Sequence, residues 1–279
     1  MPLDQIDVDR LESGQESQEM TFLEHLEELR WHIIRSLVVI VGLGIVLFLF
    51  QGWMFDTVIF GPTKQDFFSY VAICQLSEAV GLGDTMCFRP PDFPKIATGF
   101  GEPFIMSIKV SFIMGFIIAF PYVLWEFWRF LKPGLYAKER QAARGMVAIC
   151  SVLFLLGVLF GYYIISPFAV NFLAGYQIPG VQNTPTMSSF INYMIMFTAP
   201  AGLIFELPII VYFLSSIGLV TPEGMKKYRR HSIIGVLLLS AMITPPDVVT
   251  QFLIGVPLYV LYEVSIVVSA RVNKANEEF

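Results

Sequence analysis

Six stretches of apolar residues constrain what this chain can fold into more than any other feature of its sequence. They cover residues 33–50, 104–124, 146–165, 191–215, 233–243 and 252–269. A helix needs about 20 apolar residues to cross the hydrocarbon core of a bilayer, and most of these stretches approach that length. Only 15% of the residues are charged, against about 25% in soluble domains. The sequence therefore predicts an all-α polytopic membrane protein with six transmembrane helices.

The last two predicted helices are short. Residues 233–243 would make a helix of about 16 Å at roughly 1.5 Å per residue, which is less than the roughly 30 Å of a bilayer core. Either the bilayer thins beside this pair of helices, or the fifth helix continues into its polar flanks. The sequence leaves both alternatives open.

Basic residues lie mainly on one side of the predicted membrane domain. The connections after the second and fourth spans contain Arg129, Lys132, Lys138, Arg140, Arg144, Lys226, Lys227, Arg229 and Arg230. Residues 167–190, on the opposite side, contain no charged residue. Because lysine and arginine concentrate in cytoplasmic loops, we expect both termini to lie in the cytoplasm.

The start of the chain differs in charge from the rest. Residues 1–28 contain nine acidic residues and one basic residue, whereas the remainder is slightly basic. Secretory and organelle-targeting segments begin with basic, acid-poor sequences, so this start is not one of them. We expect an acidic disordered tail at 1–19, a six-helix membrane domain at 20–270 and a cytoplasmic tail at 271–279.

A long loop at 51–103 joins the first two spans on the outer side and contains Cys74 and Cys87. Two cysteines on an oxidising side favour a disulfide. The bridge would close a loop of about 14 residues and stabilise the fold by roughly 3 kcal/mol. Two free thiols are the alternative. Cys150 lies inside the third span and is expected to pack as a small apolar residue.

Three acidic residues lie in or beside the later spans. Glu206 lies well inside the fourth span, where a carboxylate is costly and is a candidate for function. A hydrogen bond that joins helices beside Pro208 is the structural alternative. Glu263 lies nearer the cytoplasmic end of the sixth span and is expected to reach the interface. Asp247 is expected to cap the start of the sixth helix.

The sequence contains no recognisable catalytic motif. His25, His32 and His231 are isolated from one another, and no zinc-protease, hydrolase-elbow or nucleotide-loop pattern occurs. We expect His32 and His231 to lie on the surface beside the spans. These observations predict a protein that is not an enzyme and holds no metal or cofactor. Membrane orientation explains the basic clusters, so we expect no nucleic-acid partner.

Two polar segments lie beside the spans on the predicted cytoplasmic side. Aromatic and basic residues alternate along 121–140, which is typical of a membrane–water interface and predicts that Trp125 and Trp128 form an aromatic belt. Glu24 and Glu28 are like charges one helical turn apart. Their segment is either an ordinary solvated lead-in to the first span or a carboxylate cluster that binds a cation.

Four motifs, in this order, resemble those of the TatC family, the core subunit of the twin-arginine protein translocase. They are FLEHLEELR at 22–30, FLKPGLY at 130–136 followed by Glu139 and Arg140, FELP at 205–208, and TPPD at 244–247. The resemblance runs from about residue 20 to about residue 270, with six spans.

This resemblance implies a receptor that binds the twin-arginine signal peptides of folded proteins. It implies that Glu28 and Glu139 contact the two arginines, that Phe130 adjoins them, and that Arg30 and Arg140 belong to the same surface. It also implies a role for Glu206 as the buried polar residue of the family. The further motif positions are Pro121, Asp247 and Glu263.

The resemblance also implies a cellular setting. The location would be the bacterial cytoplasmic (inner) membrane, with the proton-motive force driving transport. The partners would be single-span TatA- and TatB-type proteins, further copies of this chain and the lipid bilayer.

The residues alone leave two other functions open. One is an ion- or proton-coupled secondary transporter that uses Glu206, although the sequence shows no internal repeat of the kind that many transporters have. The other is a passive scaffold that only recruits partners. Signal binding by the purified protein would separate a receptor from a scaffold.

Overall fold

A computed structural model describes residues 22–79, 81, 87, 96–131, 137–180, 183–243 and 248–277. These ranges are helical, and their one β-type pairing is an isolated bridge between Ile96 and Thr186. The α-helices are α1 (Phe22–Leu49), α2 (Gln51–Trp53), α3 (Phe68–Ala79), α4 (Glu102–Leu131), α5 (Ala137–Phe160), α6 (Ser166–Gly175), α7 (Met187–Ile204), α8 (Leu207–Ser216), α9 (Pro222–Lys227), α10 (Arg229–Ile243) and α11 (Val248–Glu277). The π-helical segments are Met54–Ile59 and Gly161–Ile165, and Gly61–Thr63 is a 3₁₀ turn.

Five helical paths in the described residues are long and apolar enough to cross a membrane. They are His25–Leu49, Glu102–Phe130, Gly145–Gly175, Met187–Ser216 and Gln251–Lys274. The remaining apolar helix, α10, has 15 residues and is therefore about 22 Å long at roughly 1.5 Å per residue. The structure thus shows five candidate spans and one shorter apolar helix, where the sequence predicts six spans.

Two of these helical segments differ from the predicted spans, and in each of them a proline lies at the place of the difference. The third path continues beyond residue 165, through Gly161–Ile165 and α6, to Gly175. Pro167 lies in the first turn of α6, directly after the π-helical segment Gly161–Ile165, where the helical hydrogen-bond pattern already changes. The fourth path breaks at Phe205 and Glu206, and Pro208 lies in the first turn of the helix that follows.

Three helix pairings organise the bundle: α1 lies along α4, α5 lies along α7, and α11 lies along α8 and α10. We call the end that carries the start of α4 the loop end, and the end that carries the start of α1 the motif end. Met54, Val110 and Ile191 belong to a buried apolar cluster at the loop end. Trp128 and Cys150 belong to another cluster, nearer the motif end.

The crossing of α5 and α7 is close because glycines line it. A Cβ atom built on Gly157 would lie 2.6 Å from the Ala201 carbonyl oxygen and 2.8 Å from the Gly202 Cα. Both are backbone atoms, so no side chain can turn aside to make room. The two helix backbones therefore touch at this point, immediately before the break at Glu206.

The loop end is held by a disulfide and a carboxylate. Cys74, in the middle of α3, is bonded to Cys87. Glu102 Oε2 accepts hydrogen bonds from the backbone N–H groups of Thr98 and Gly99, both at 2.8 Å, and Oε1 accepts one from the Ser188 N–H at 3.0 Å. Glu102 thus ties the start of α4 to the start of α7, and we call this group of bonds the Glu102 clasp.

The glycine crossing gives a stability prediction. Gly157→Ala should lower the free energy of unfolding by about 1–3 kcal/mol, because overpacking forces two backbones apart. Gly145→Ala lies on the same helix, and a Cβ atom added there would have no atom within 4 Å. It should be neutral or stabilising by up to about 1 kcal/mol, since alanine favours helix. Thermal unfolding of the purified variants in detergent measures both. Equal melting temperatures would contradict the close crossing.

Candidate functional site

The start of α1 and the end of α4 meet through aromatic rings. The His25 and Phe130 rings stack with centroids 4.4 Å apart and planes at 20°. The His32 ring meets the edge of Phe130 at 6.1 Å. Because residues three and four apart share a helix face, Glu28 lies between these two histidines on the side of α1 that faces Phe130. We call His25, Glu28 and Phe130 the α1–α4 face.

Glu28 has an unusual environment for a carboxylate near a helix end. Its side chain is half-buried, and its Oε2 atom is shielded from solvent and has no hydrogen-bond partner among the described residues. Buried polar atoms are nearly always paired, and each exception in a protein calls for an explanation. An acceptor of this kind is ready for a donor from a bound ligand.

Arg30 is separated from Glu28 by the geometry of the helix. Two residues along an α-helix rotate by about 200°, so Arg30 lies on the other side of α1, where its side chain is exposed. The structure therefore brings Phe130 to Glu28 but does not bring Arg30 there.

Glu139 and Arg140 lie in the first turn of α5. The structure describes their backbone and not their side chains, so their position relative to Glu28 stays a prediction. Residues 132–136, which include Lys132 of the second motif, lie outside the described residues.

His32 and Glu126 form a buried pair between α1 and α4. His32 is 5% exposed and Glu126 is 1% exposed, and the His32 Nδ1 contacts Glu126 Oε2. The Tyr122 hydroxyl donates to Glu126 Oε1 at 2.9 Å. The expectation that His32 lies on the surface is wrong, because its ring points into the α1–α4 contact. Sequence reasoning missed Glu126, and the signal for it was a lone carboxylate among the apolar and aromatic residues at 123–128.

The two tryptophans of this region have different roles. Trp125 is exposed, and the Arg129 guanidinium lies 5.6 Å from its ring centroid. Trp128 is buried and packs against Phe213 of α8 at 4.8 Å. The prediction of an aromatic belt therefore fails for Trp128, which is buried because α8 packs against this side of α4.

Glu206 lies at the break between α7 and α8 and is 9% exposed. Its carboxylate lies beside the Cys150 thiol of α5, and its Oε1 atom is buried without a hydrogen-bond partner in the described ranges. Cys150 itself is buried and unbonded to another cysteine. Glu206 is thus a second buried carboxylate with an unpartnered oxygen.

The remaining motif positions have structural surroundings or lie outside the described residues. Glu263 Oε2 accepts a hydrogen bond from Arg229 Nη2 at 2.7 Å, and its Oε1 accepts one from the Tyr259 hydroxyl at 2.9 Å. Glu263 therefore joins α10 to α11. Pro121 lies half-buried inside α4. Asp247, with residues 244–246, lies outside the described residues.

No metal centre is visible in the described part of the chain. No group of three or more His, Cys, Asp or Glu side chains there is arranged to hold a metal ion.

Comparison with known proteins identifies the family. A family model described as "Sec-independent protein translocase protein (TatC)" matches residues 24–257. The TatC protein of Blattabacterium sp. subsp. Periplaneta americana (strain BPLAN) is 36% identical over 262 residues, covering 93% of this chain and 98% of that protein. The TatC protein of Aquifex aeolicus (strain VF5) is 32% identical over 262 residues, with the same two coverages of 93% and 98%.

Solved structures of TatC proteins are also similar to this chain. A crystal structure of the twin arginine translocase receptor TatC matches with a TM-score of 0.64 at 30% identity, covering 90% of this chain and 100% of that chain. A crystal structure of the same receptor in DDM matches with a TM-score of 0.66 at 31% identity, covering 87% and 98%.

The helical fold and these similarities define a membrane component of a protein translocase, which is a transport protein and not an enzyme. The chain belongs to the TatC family. The resemblance found in the sequence is thereby confirmed, and a translocase core subunit replaces the alternative of a solute transporter.

The unpartnered oxygen of Glu206 gives a second prediction. Glu206→Leu should raise the free energy of unfolding by about 1–3 kcal/mol, because a buried acceptor without a partner carries a desolvation penalty of that size. Glu206→Gln, which keeps a buried polar group, should give a smaller gain or none. Thermal unfolding in detergent measures both. A lower melting temperature for Glu206→Leu would mean that the carboxylate holds the helices together.

Proposed function

We propose that this chain is the receptor and core subunit of a twin-arginine translocase and binds the twin-arginine signal peptides of folded precursors. The observation that carries the proposal is the shielded Oε2 atom of Glu28 on the α1–α4 face, which no donor of the described residues reaches. The family and the names of the matched crystal structures support the same assignment.

The chemistry of arginine suits this face. A guanidinium group presents several N–H donors in a planar fork and binds a carboxylate through two parallel hydrogen bonds. It also stacks on aromatic rings, and Phe130 with His25 supplies such a surface. A lysine ammonium has neither the fork nor the planar face. An arginine pair is therefore the ligand that Glu28 and a second carboxylate would select.

We assign the second carboxylate to Glu139, in the first turn of α5. Phe130, near the end of α4, and Glu139 are joined by a short connection that includes 132–136, so the two lie near each other in the chain. Arg140 is proposed to border the same surface. Arg30, on the opposite side of α1, is proposed to border it from that side and not to contact Glu28.

We infer that α10, which contains the fifth predicted span, also crosses the membrane, so that the chain has six transmembrane helices and both termini are cytoplasmic. Its first three residues, Arg229, Arg230 and His231, lie at the motif end together with Arg129, as the distribution of basic residues in cytoplasmic loops requires. A helix of 15 residues is shorter than a bilayer core, so we propose that the membrane thins beside it.

Partners of the complex are proposed to dock near the short helix. Ile234, Leu238 and Met242 follow one another at four-residue spacing on α10, and each is about two-thirds exposed. This apolar stripe suits a single-span helix of TatA or TatB type. Further copies of this chain in the same complex, a location in the bacterial cytoplasmic (inner) membrane and transport driven by the proton-motive force belong to the same proposal.

The receptor proposal is tested by crosslinking. Glu28→Ala combined with Glu139→Ala should abolish crosslinking of the full chain to a twin-arginine signal peptide, because both carboxylate acceptors are lost, while membrane insertion stays intact. Glu223→Ala, an exposed acid in the first turn of α9, is the control and should crosslink normally. A peptide with both arginines changed to lysine should fail to crosslink to the parent. Undiminished crosslinking of the double variant would contradict the site assignment.

The proposed orientation is tested with reporter fusions. Alkaline phosphatase, which is active only outside the cytoplasm, should be inactive when fused after residue 279. Inserted after Gly180, which is exposed in the connection between α6 and α7, it should be active. The reverse pattern would overturn the orientation, and activity at both positions would overturn the count of six spans.

A further inference from the structure

A buried, hydrogen-bonded pair of ionisable side chains joins α1 to α4 beneath the α1–α4 face. His32 Nδ1 contacts Glu126 Oε2, and the Tyr122 hydroxyl donates to the other carboxylate oxygen at 2.9 Å. Ser36 Oγ donates to the His32 carbonyl oxygen at 2.9 Å. Both oxygens of Glu126 therefore have a donor, and the two donors come from different helices.

A buried pair of ionisable side chains stabilises two packed helices poorly, because removing the two groups from water costs free energy. Apolar side chains of similar size often stabilise a buried contact equally well or better. A buried polar contact tolerates little misalignment, since a small rotation leaves donors and acceptors unpaired. The property that the pair adds is a defined rotation of α1 relative to α4.

The pair lies about one helical turn from the residues proposed to bind the signal, on the side away from the motif end. His32 is four residues after Glu28 on α1, and Glu126 is four residues before Phe130 on α4, which is about 6 Å along each helix. The His32 ring also meets the edge of the Phe130 ring. A rotation of α1 about its axis would break the pair and would turn Glu28 away from Phe130 at the same time.

Two arginines are the charged neighbours of this network among the described residues. Arg35 of α1 interacts electrostatically with Glu126 and Tyr122, and Arg129 of α4 interacts with Tyr122. Among the described residues neither arginine forms an ion pair with Glu126. The hydrogen-bond partners of the Glu126 carboxylate are thus His32 and Tyr122.

We propose that His32 and Glu126 are positioning residues of the signal site: their pairing fixes the rotation of α1 against α4, so that Glu28 and Phe130 face the same arginine. The pair thereby sets the selectivity for arginine over lysine, although neither residue touches the signal. This inference rests on the proposed receptor function.

The test measures the affinity of the full-length protein, purified in detergent, for two synthetic signal peptides. One peptide carries the arginine pair and the other carries two lysines. The main variant is Glu126→Leu with His32→Phe, which replaces the polar contact by an apolar one of similar size and keeps the helices packed. Its affinity for the arginine peptide should fall by about tenfold, which corresponds to about 1.4 kcal/mol. The arginine-to-lysine affinity ratio should fall with it.

Two controls separate positioning from general stability. Glu126→Gln keeps an acceptor oxygen for His32 and should rescue both the affinity and the ratio. Ile191→Ala opens a cavity in the buried cluster at the loop end, far from the pair along the bundle. It should lower the melting temperature and leave the arginine-to-lysine ratio unchanged.

The outcomes separate the two proposals. Parent-like affinity and ratio in the apolar double variant would overturn the positioning role and leave the receptor function standing. The positioning role would also be overturned if the arginine-to-lysine ratio fell simply in proportion to the melting temperature, so that Ile191→Ala lowered both. A parent protein that binds both peptides equally would overturn the receptor function, and this inference with it.

Discussion

The structure depends on one constraint, which is that a carboxylate inside an apolar helical bundle needs hydrogen-bond donors. Most of the acids described inside the helices meet it. Glu126 and Glu263 each have a donor at both oxygens, and Glu102 has donors at both of its own. Within the part of the chain that the structure describes, Glu28 and Glu206 each keep one shielded oxygen without a partner. The two exceptions are therefore the positions where a ligand or a partner is expected.

These two carboxylates have different surroundings and suit different steps. Glu28 lies near the start of α1, on the helix face where His25 stacks on Phe130. Glu206 lies deeper, at the break between α7 and α8, next to the glycine crossing of α5 and α7. In a translocase subunit of the TatC family, we propose that the first position recognises the signal peptide. The second position is buried among the helices and suits a contact that forms within the membrane.

The sequence predicted the large features because composition alone determines them. Long apolar stretches require buried or lipid-facing helices, and the five candidate spans follow from that requirement. The short helix at 233–243 also stood out, because its length is a property of the sequence. His32 and Trp128 were placed wrongly because distance from a span end does not tell which face of a helix a side chain occupies. Glu126 was missed because its partner lies 94 residues away, and only the packing of α1 on α4 brings the two together.

The Glu102 clasp has a consequence for how the protein responds to its surroundings. Its donors are backbone N–H groups and not cations, and short-range dipolar bonds of this kind are hardly weakened by dissolved ions. The exposed Lys64–Asp56 pair, at 3.1 Å, is by contrast subject to Debye screening, with a length of about 8 Å at physiological ionic strength. The join between the starts of α4 and α7 therefore depends less on ionic strength than that ion pair does. The end of the bundle that carries the long connection between α1 and α4 can thus keep its geometry while the ions around it change.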